Sequence, residues 1–285
     1  MFRHTRLLFF ALLILQVQNI TYADTANPSL SPEVSIEAIG ISNPIAAAIR
    51  GEVYYRYIYR KDTSPLWNDL YIQSGVQYLV SPAFARGGVH LEWLPIAVFQ
   101  LRLRYDYDYY AGNAGSLLNF NSRNAAYSDK VVDARKGSEL TAHANRIVIN
   151  PILRVKFGEF IVRNSLNYYR YQISANHPYF LERSLDILVA QKGQIYSNKL
   201  SMLHILNLPT AKKTLVGPLF EYLYSKEANL TQQRLGLLWF QTLKKQSKHF
   251  KDTRWFTLLS FFLEDRHREN EIYLGFGIGT NFDFN

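Results

Sequence analysis

Residues 271–284 alternate without a break. Ile272, Leu274, Phe276, Ile278, Thr280, Phe282 and Phe284 form one series, and Glu271, Tyr273, Gly275, Gly277, Gly279, Asn281 and Asp283 form the other. A period of two sends successive side chains to opposite faces of a β-strand. One face is therefore apolar, and the other is polar or carries no side chain at all. The same pattern recurs over residues 96–110. There Ala97, Phe99, Leu101, Leu103, Tyr105, Tyr107 and Tyr109 oppose Val98, Gln100, Arg102, Arg104, Asp106 and Asp108.

The start of the chain narrows the setting. Arg3 and Arg6 precede an apolar run from Leu7 to Val17, and Thr21-Tyr22-Ala23 follows. A basic start, a short apolar core and a small residue mark a secretory signal peptide, here expected over residues 1–23. Its apolar core falls well short of the roughly 20 residues of a bilayer-spanning helix, and no later run approaches that length. The other structure that satisfies its backbone within lipid is a closed β-barrel. The 20 tyrosines and 18 phenylalanines suit the aromatic girdles of such a barrel. Along residues 96–110 the apolar face changes from aliphatic to tyrosine, as a strand does on leaving hydrocarbon for headgroups. The last strand, with Phe284 before a final Asn285, resembles the closing strand of bacterial outer-membrane β-barrels. That resemblance implies an all-β, antiparallel up-and-down transmembrane β-barrel in the bacterial outer membrane.

Alternation predicts strands over residues 51–60, 69–80, 96–110, 146–157, 160–173, 214–225, 232–243, 253–264 and 271–284. Residues 69–94 and 184–206 are each one strand or two, so the total is ten or twelve. Residues 24–45, with Pro28, Pro32 and Pro44, form an irregular periplasmic lead-in by their prolines, and the barrel spans 46–285. Within the lead-in, residues 34–41 are a short strand or part of a plug. Residues 111–144 are polar and rich in Gly, Asn and Ser, as an extracellular barrel loop is. That placement sends the 96–110 strand outward and the last strand towards the periplasm.

Charge and chemistry come from the inward faces. The formal charge is +9, and +7 once Arg3 and Arg6 leave with the signal peptide. Export makes nucleic acid an unsuitable partner; outer-membrane lipid and lipopolysaccharide fit better. The barrel-insertion machinery would act through the C-terminal strand. Arg56, Arg60, Arg102, Arg104, Arg146, Arg154 and Lys156, with Asp106, Asp108, Glu264 and Glu271, are the expected lumen-lining set. Glu221 lies on an inward face too. Such groups must be paired or hydrated. They form either a salt-bridged filling that stiffens the barrel or a narrow basic passage that favours anions. The cysteine count is zero, which removes thiolate sites. The histidine and glycine spacings give no metal or nucleotide motif, so no cofactor is expected.

Three functions follow: a structural or narrow-pore outer-membrane barrel, a rim-active hydrolase, and a soluble exported barrel that binds a ligand. The hydrolase rests on Asp106-Tyr-Asp108 and Asp265-Arg-His267. These resemble the Asp-x-Asp and Asp-x-His pairs of omptins, outer-membrane aspartyl-type proteases with a ten-stranded barrel. The resemblance implies that Asp106, Asp108, Asp265 and His267 meet at the extracellular rim, where an oriented histidine activates water.

Overall fold

The computed structural model describes residues 32–42, 45–64, 66–67, 69–244, 250–267 and 271–282. The expected signal peptide, Phe284 and Asn285 lie outside the described residues. In chain order the elements are β1 (Pro32–Ser42), β2 (Ile45–Arg60), β3 (Leu70–Val80), β4 (Phe84–Ile96), β5 (Phe99–Ala111) and β6 (Leu118–Phe120). A short helix α1 (Asp129–Ala134) precedes β7 (Thr141–Phe157) and β8 (Phe160–Ile173). Then come β9 (Tyr179–Glu182), β10 (Ile187–Ala190), β11 (Gln194–Leu206), β12 (Ala211–Ser225), β13 (Leu230–Leu243), β14 (Phe250–Glu264) and β15 (Ile272–Phe282).

Twelve of these strands close into one antiparallel barrel, in the order β1-β15-β14-β13-β12-β11-β8-β7-β5-β4-β3-β2. Closure is made by β1 and β15, in register from Val34 opposite Phe282 to Ile41 opposite Gly275. The expected lead-in is corrected here: residues 32–42 are the first barrel strand, and the barrel begins before residue 46. β15 offers a full edge of backbone donors and acceptors, and β1 is what pairs them. Residues 69–94 make two strands, while residues 184–206 give only β11 to the barrel. β1 begins and β15 finishes at one end, the near end. The segments 112–140 and 174–193 lie at the opposite, far end, towards which β5 runs and away from which β15 runs.

The outer surface is apolar in the middle and aromatic at both margins. On β15, Ile272, Leu274, Phe276 and Ile278 are exposed, whereas Gly275, Gly277 and Gly279 are buried on the inner face. Val89, Leu91, Leu103, Ile147, Ile149, Leu166 and Leu200 continue the exposed belt on other strands. Tyr57, Tyr59, Trp93, Phe157 and Phe160 ring it near one end, and Tyr78, Tyr105, Tyr107, Tyr109 and Tyr196 near the other. Isolated exposed apolar residues are ordinary, but a continuous belt of this kind marks a surface built to be covered.

Residues 111–144, expected to be an extended extracellular loop, fold inward instead. β6 pairs with β9, and β9 with β10, in a three-stranded sheet separate from the barrel wall. Leu117, Leu118, Tyr127, Phe180, Leu181, Ile187, Leu188 and Val189 are all fully buried in it. They pack with Tyr110, Ala142, Ala144, Tyr171, Ile195, Leu223 and Leu230 from the inner faces of β5, β7, β8, β11, β12 and β13. The reason is in the sequence: Leu117, Leu118 and Phe120 interrupt a polar stretch, and residues 179–190 supply the matching apolar surface. Burial of such side chains contributes on the order of 1.5–3 kcal/mol each. The far end is thus filled by a plug with its own core.

Replacing Phe180 by Ala should remove about 3–5 kcal/mol of plug packing. Hydrogen exchange should then accelerate at β9 and β10 while β13 and β14 keep their protection. Equal acceleration throughout would show that plug and barrel form one cooperative unit.

Candidate functional site: the lumen

The charges beneath the plug are sorted by register. Arg86 lies directly opposite Asp108 in the β4–β5 ladder, and Asp106 directly opposite Arg146 in the β5–β7 ladder. Directly opposed side chains are close enough to pair. Arg146 reaches Asp106 Oδ2 through Nη2 at 2.6 Å and Nε at 3.1 Å. Gln77 Nε2 donates to the other carboxylate oxygen at 2.7 Å. Both aspartates are fully buried. Gly88 makes room for this arrangement, because a Cβ there would overlap Asp106 Oδ1.

Arg86 ties the wall to the plug. Its Nε donates to Asp108 Oδ1 at 2.5 Å, and its Nη2 lies 3.5 Å from Glu182 Oε1 on β9. Glu182 in turn accepts from Ser184 Oγ and from the Leu185 backbone N–H, both at 2.7 Å. A buried carboxylate of the plug is therefore held by its own turn and by a wall arginine. Sequence reading missed Glu182 and Lys199 because residues 184–206 were one strand or two, and Arg234 because its strand was predicted without its inward face being assigned. The structure shows Lys199, Glu221 and Arg234 directly opposed across β11, β12 and β13. Glu221 pairs with Lys199 and, at 2.8 Å, with Arg234.

Nearer the other end a second network joins Glu52, Arg102, His90 and Glu92. Arg102 Nη2 is 2.5 Å from Glu52 Oε1, and His90 Nε2 is 3.0 Å from the same oxygen. Arg56 donates to Gln73 and sits over the Tyr71 ring at 4.6 Å. Arg154 donates to Gln100 and lies directly opposite Arg163 across the β7–β8 ladder. Lys156 and Lys213 line the same near-end mouth. Asp252 lies at this mouth too, paired with Lys212, but cations outnumber it there, and such a mouth draws in anions.

The remaining expected lining residues are placed otherwise. Arg60 is exposed at the near rim, bonded to Asp62 and stacked on Trp67. Glu264 lies outside: a register shift beside Gln233 sets it opposite that residue, and it is exposed. Glu271 is exposed at the far rim, before the first residue of β15.

The hydrolase set is not assembled. β5 and β14 are opposite one another in the barrel, with five strands between them in either direction. Asp106 and Asp108 are occupied by Arg146 and Arg86 beneath the plug. Asp265 accepts from Gln232 Nε2 at 2.7 Å and from the His267 backbone N–H at 2.8 Å. The His267 ring packs edge-on against Tyr127 of the plug, 4.7 Å between centroids. The Asp-x-His motif caps a turn; a three-residue spacing does not carry the partner across a barrel.

Beside the plug lies a cavity of about 430 Å³. Ile39, Ile41, Ala46 and Ala48 line it from β1 and β2, and Phe256, Leu258 and Gly275 from β14 and β15. Arg86, Arg104, Arg146 and Lys199 also line it, as does Arg234, whose guanidinium lies 4.3 Å over the Tyr273 ring of β15. Arg104 differs from its neighbours. Its partners in register are His90 and Val148, where Arg102 and Arg146 have Glu92 and Asp106.

Substituting Arg146 by Met should cost about 3–5 kcal/mol, because it leaves Asp106 buried and unpaired. The double variant with Asp106→Asn should recover much of that loss. Urea unfolding of the refolded barrel gives the cycle, and a double variant as weak as the sum of both singles would show the pair to be uncoupled.

No protein-family model matches the chain, and no curated protein matches it. Solved structures share its architecture at low similarity. The KdgM porin is 8% identical, with 89% of this chain and 99% of that chain covered and a TM-score of 0.43. An outer-membrane channel from Pseudomonas putida gives 8% identity, 92% and 100% coverage and a TM-score of 0.44. The translocator domain of the autotransporter NalP from Neisseria meningitidis gives 9%, 99% and 96%, and 0.43. The chain is a closed antiparallel β-barrel on the strength of its own twelve-strand order, and these likenesses add nothing about its activity.

Proposed function

We propose that this protein is a barrel of the bacterial outer membrane whose passage is closed at rest by its own plug. The observation that carries the reading is the apolar three-stranded sheet seated inside the far end, latched to the wall through Glu182 and Arg86. The exposed apolar belt with aromatic margins supports placement in lipid. Lipid and lipopolysaccharide would contact that belt, and the insertion machinery would engage β15. A freely open pore is disfavoured, since packed side chains occupy the far-end cross-section on the β5, β7, β8 and β11–β13 side and leave only the cavity beside the plug. The near-end mouth, with Arg154 opposite Arg163, favours anions among any solutes that do pass.

In planar bilayers the wild-type protein should be mostly silent. Glu182→Gln should raise the frequency of openings, because the latch loses its charge while the turn keeps one of its two hydrogen-bond acceptors. Reversal potentials in a salt gradient should show the openings to be anion-selective. Steady conductance of the wild type, unchanged by Glu182→Gln, would remove the closed-plug reading.

A further inference from the structure

We infer that the cavity beside the plug is a binding site for an amphipathic organic anion, one with an apolar body and a carboxylate or phosphate head. Its two sides differ in chemistry. The β1–β15 side is built from Ile39, Ile41, Ala48 and Leu258, with Gly275 between them. Arg50 of β2 and Tyr273 of β15 also line this side, and the rest of its surface carries no polar side chain and suits hydrocarbon. The facing side is cationic, and Glu221 is the one carboxylate that lines the space.

The head group has a specific place. Arg104 lines the cavity and is largely buried, and among the described residues no hydrogen bond or ion pair holds it, Asp106 two positions along β5 acting on it only at longer range. Register explains this, since neither His90 nor Val148 offers a carboxylate. A guanidinium presents a planar fork of donors that matches a carboxylate or phosphate in two parallel bonds. Arg234 adds a second unmet donor: its Nε is buried without an acceptor and its side chain lines the same space. An oxyanion in this space would find donors in the Arg104 fork and in Arg234 Nε, whose Nη2 stays on Glu221. The volume, about 430 Å³, accommodates a body of several carbons. The site is defined with the plug in place, so it holds whether or not the barrel conducts.

Gly275 allows a test that leaves every charge untouched. A Cβ there would meet its nearest atom, in Tyr273, at 3.4 Å, an ordinary contact, and would project into the cavity. The experiment is calorimetric titration of the full chain in an uncharged detergent with hexanoate, hexyl phosphate, hexanol, acetate and inorganic phosphate. Hexanoate or hexyl phosphate should bind saturably and at least tenfold tighter than hexanol or the short anions. Whichever head binds more tightly identifies the class. Arg104→Gln and Gly275→Val should each weaken that binding at least tenfold, while Lys212→Gln, outside the cavity, should leave it unchanged. Heat-modifiable gel migration verifies that each variant is a folded barrel; if Gly275→Val does not fold, Arg104→Gln decides alone. Hexanol binding as tightly as the anions, no saturable binding of either hexyl anion, or binding unaffected by Arg104→Gln would overturn the site.

Discussion

Inside a barrel a charge is neutralised by what stands at its own level on the next strand. Asp106 and Arg146 meet because the β5–β7 ladder sets them opposite one another, and Arg86 meets Asp108 for the same reason. A slip of one residue in β5 would send both aspartates to the outer face and leave two buried arginines without partners. The ion pairs therefore enforce the register as strongly as the apolar belt does. Each is costly to bury and costlier to break, so the benefit lies in specificity of pairing more than in net stability. The same rule accounts for Arg104, whose level carries no carboxylate, and for Arg154 and Arg163, whose level carries two cations.

The glycines of β15 are the complement of that crowding. At Gly277 a Cβ would overlap the Phe256 ring, so the absence of a side chain lets an aromatic lie across the strand. At Gly275 nothing takes the space, and the cavity begins there. One strand thus supplies a filled position and an empty one two residues apart. The plug core meets the β5, β7 and β11–β13 side of the wall, and the small apolar surface of β1, β2 and β15 leaves the opposite side open.

Much of this was legible in the sequence. Alternation gave the inner and outer faces of β5 and β15 residue by residue, because a period of two has no second interpretation once a strand is accepted. Asp106, Asp108 and Arg146, on the series expected to face inward, are buried. What alternation cannot supply is register between strands, and every pairing depends on it. The plug was missed for a related reason. Leu117, Leu118 and Phe120 are too few to declare an element alone, and their partners, residues 179–190, are about sixty positions away. Residues 34–41 were open as a short strand or part of a plug, and the prolines around them kept β1 out of the barrel wall; Pro32 sits at its first residue, where a strand tolerates proline. Glu264 went wrong by a single bulge, which reverses faces just as a register slip does.

The plug is held unevenly, and that asymmetry decides how the lumen could open. On the side of β5, β7 and β11–β13 it is bound by a continuous apolar core, so withdrawing it would expose many fully buried side chains at once. On the cavity side its turn presents Arg183, Ser184 and Leu185, and the ties are single polar contacts such as Ser184 to Arg86. The Ser184 contact exchanges for water at small net cost and the buried Glu182–Arg86 pair is the one costly tie, whereas the apolar core must expose many side chains together. A path between the ends would therefore form first along β1, β2 and β15, past Arg104, with the plug core intact. Ejection of the whole plug would be the rarer event, because it breaks the packed core in addition to the latch.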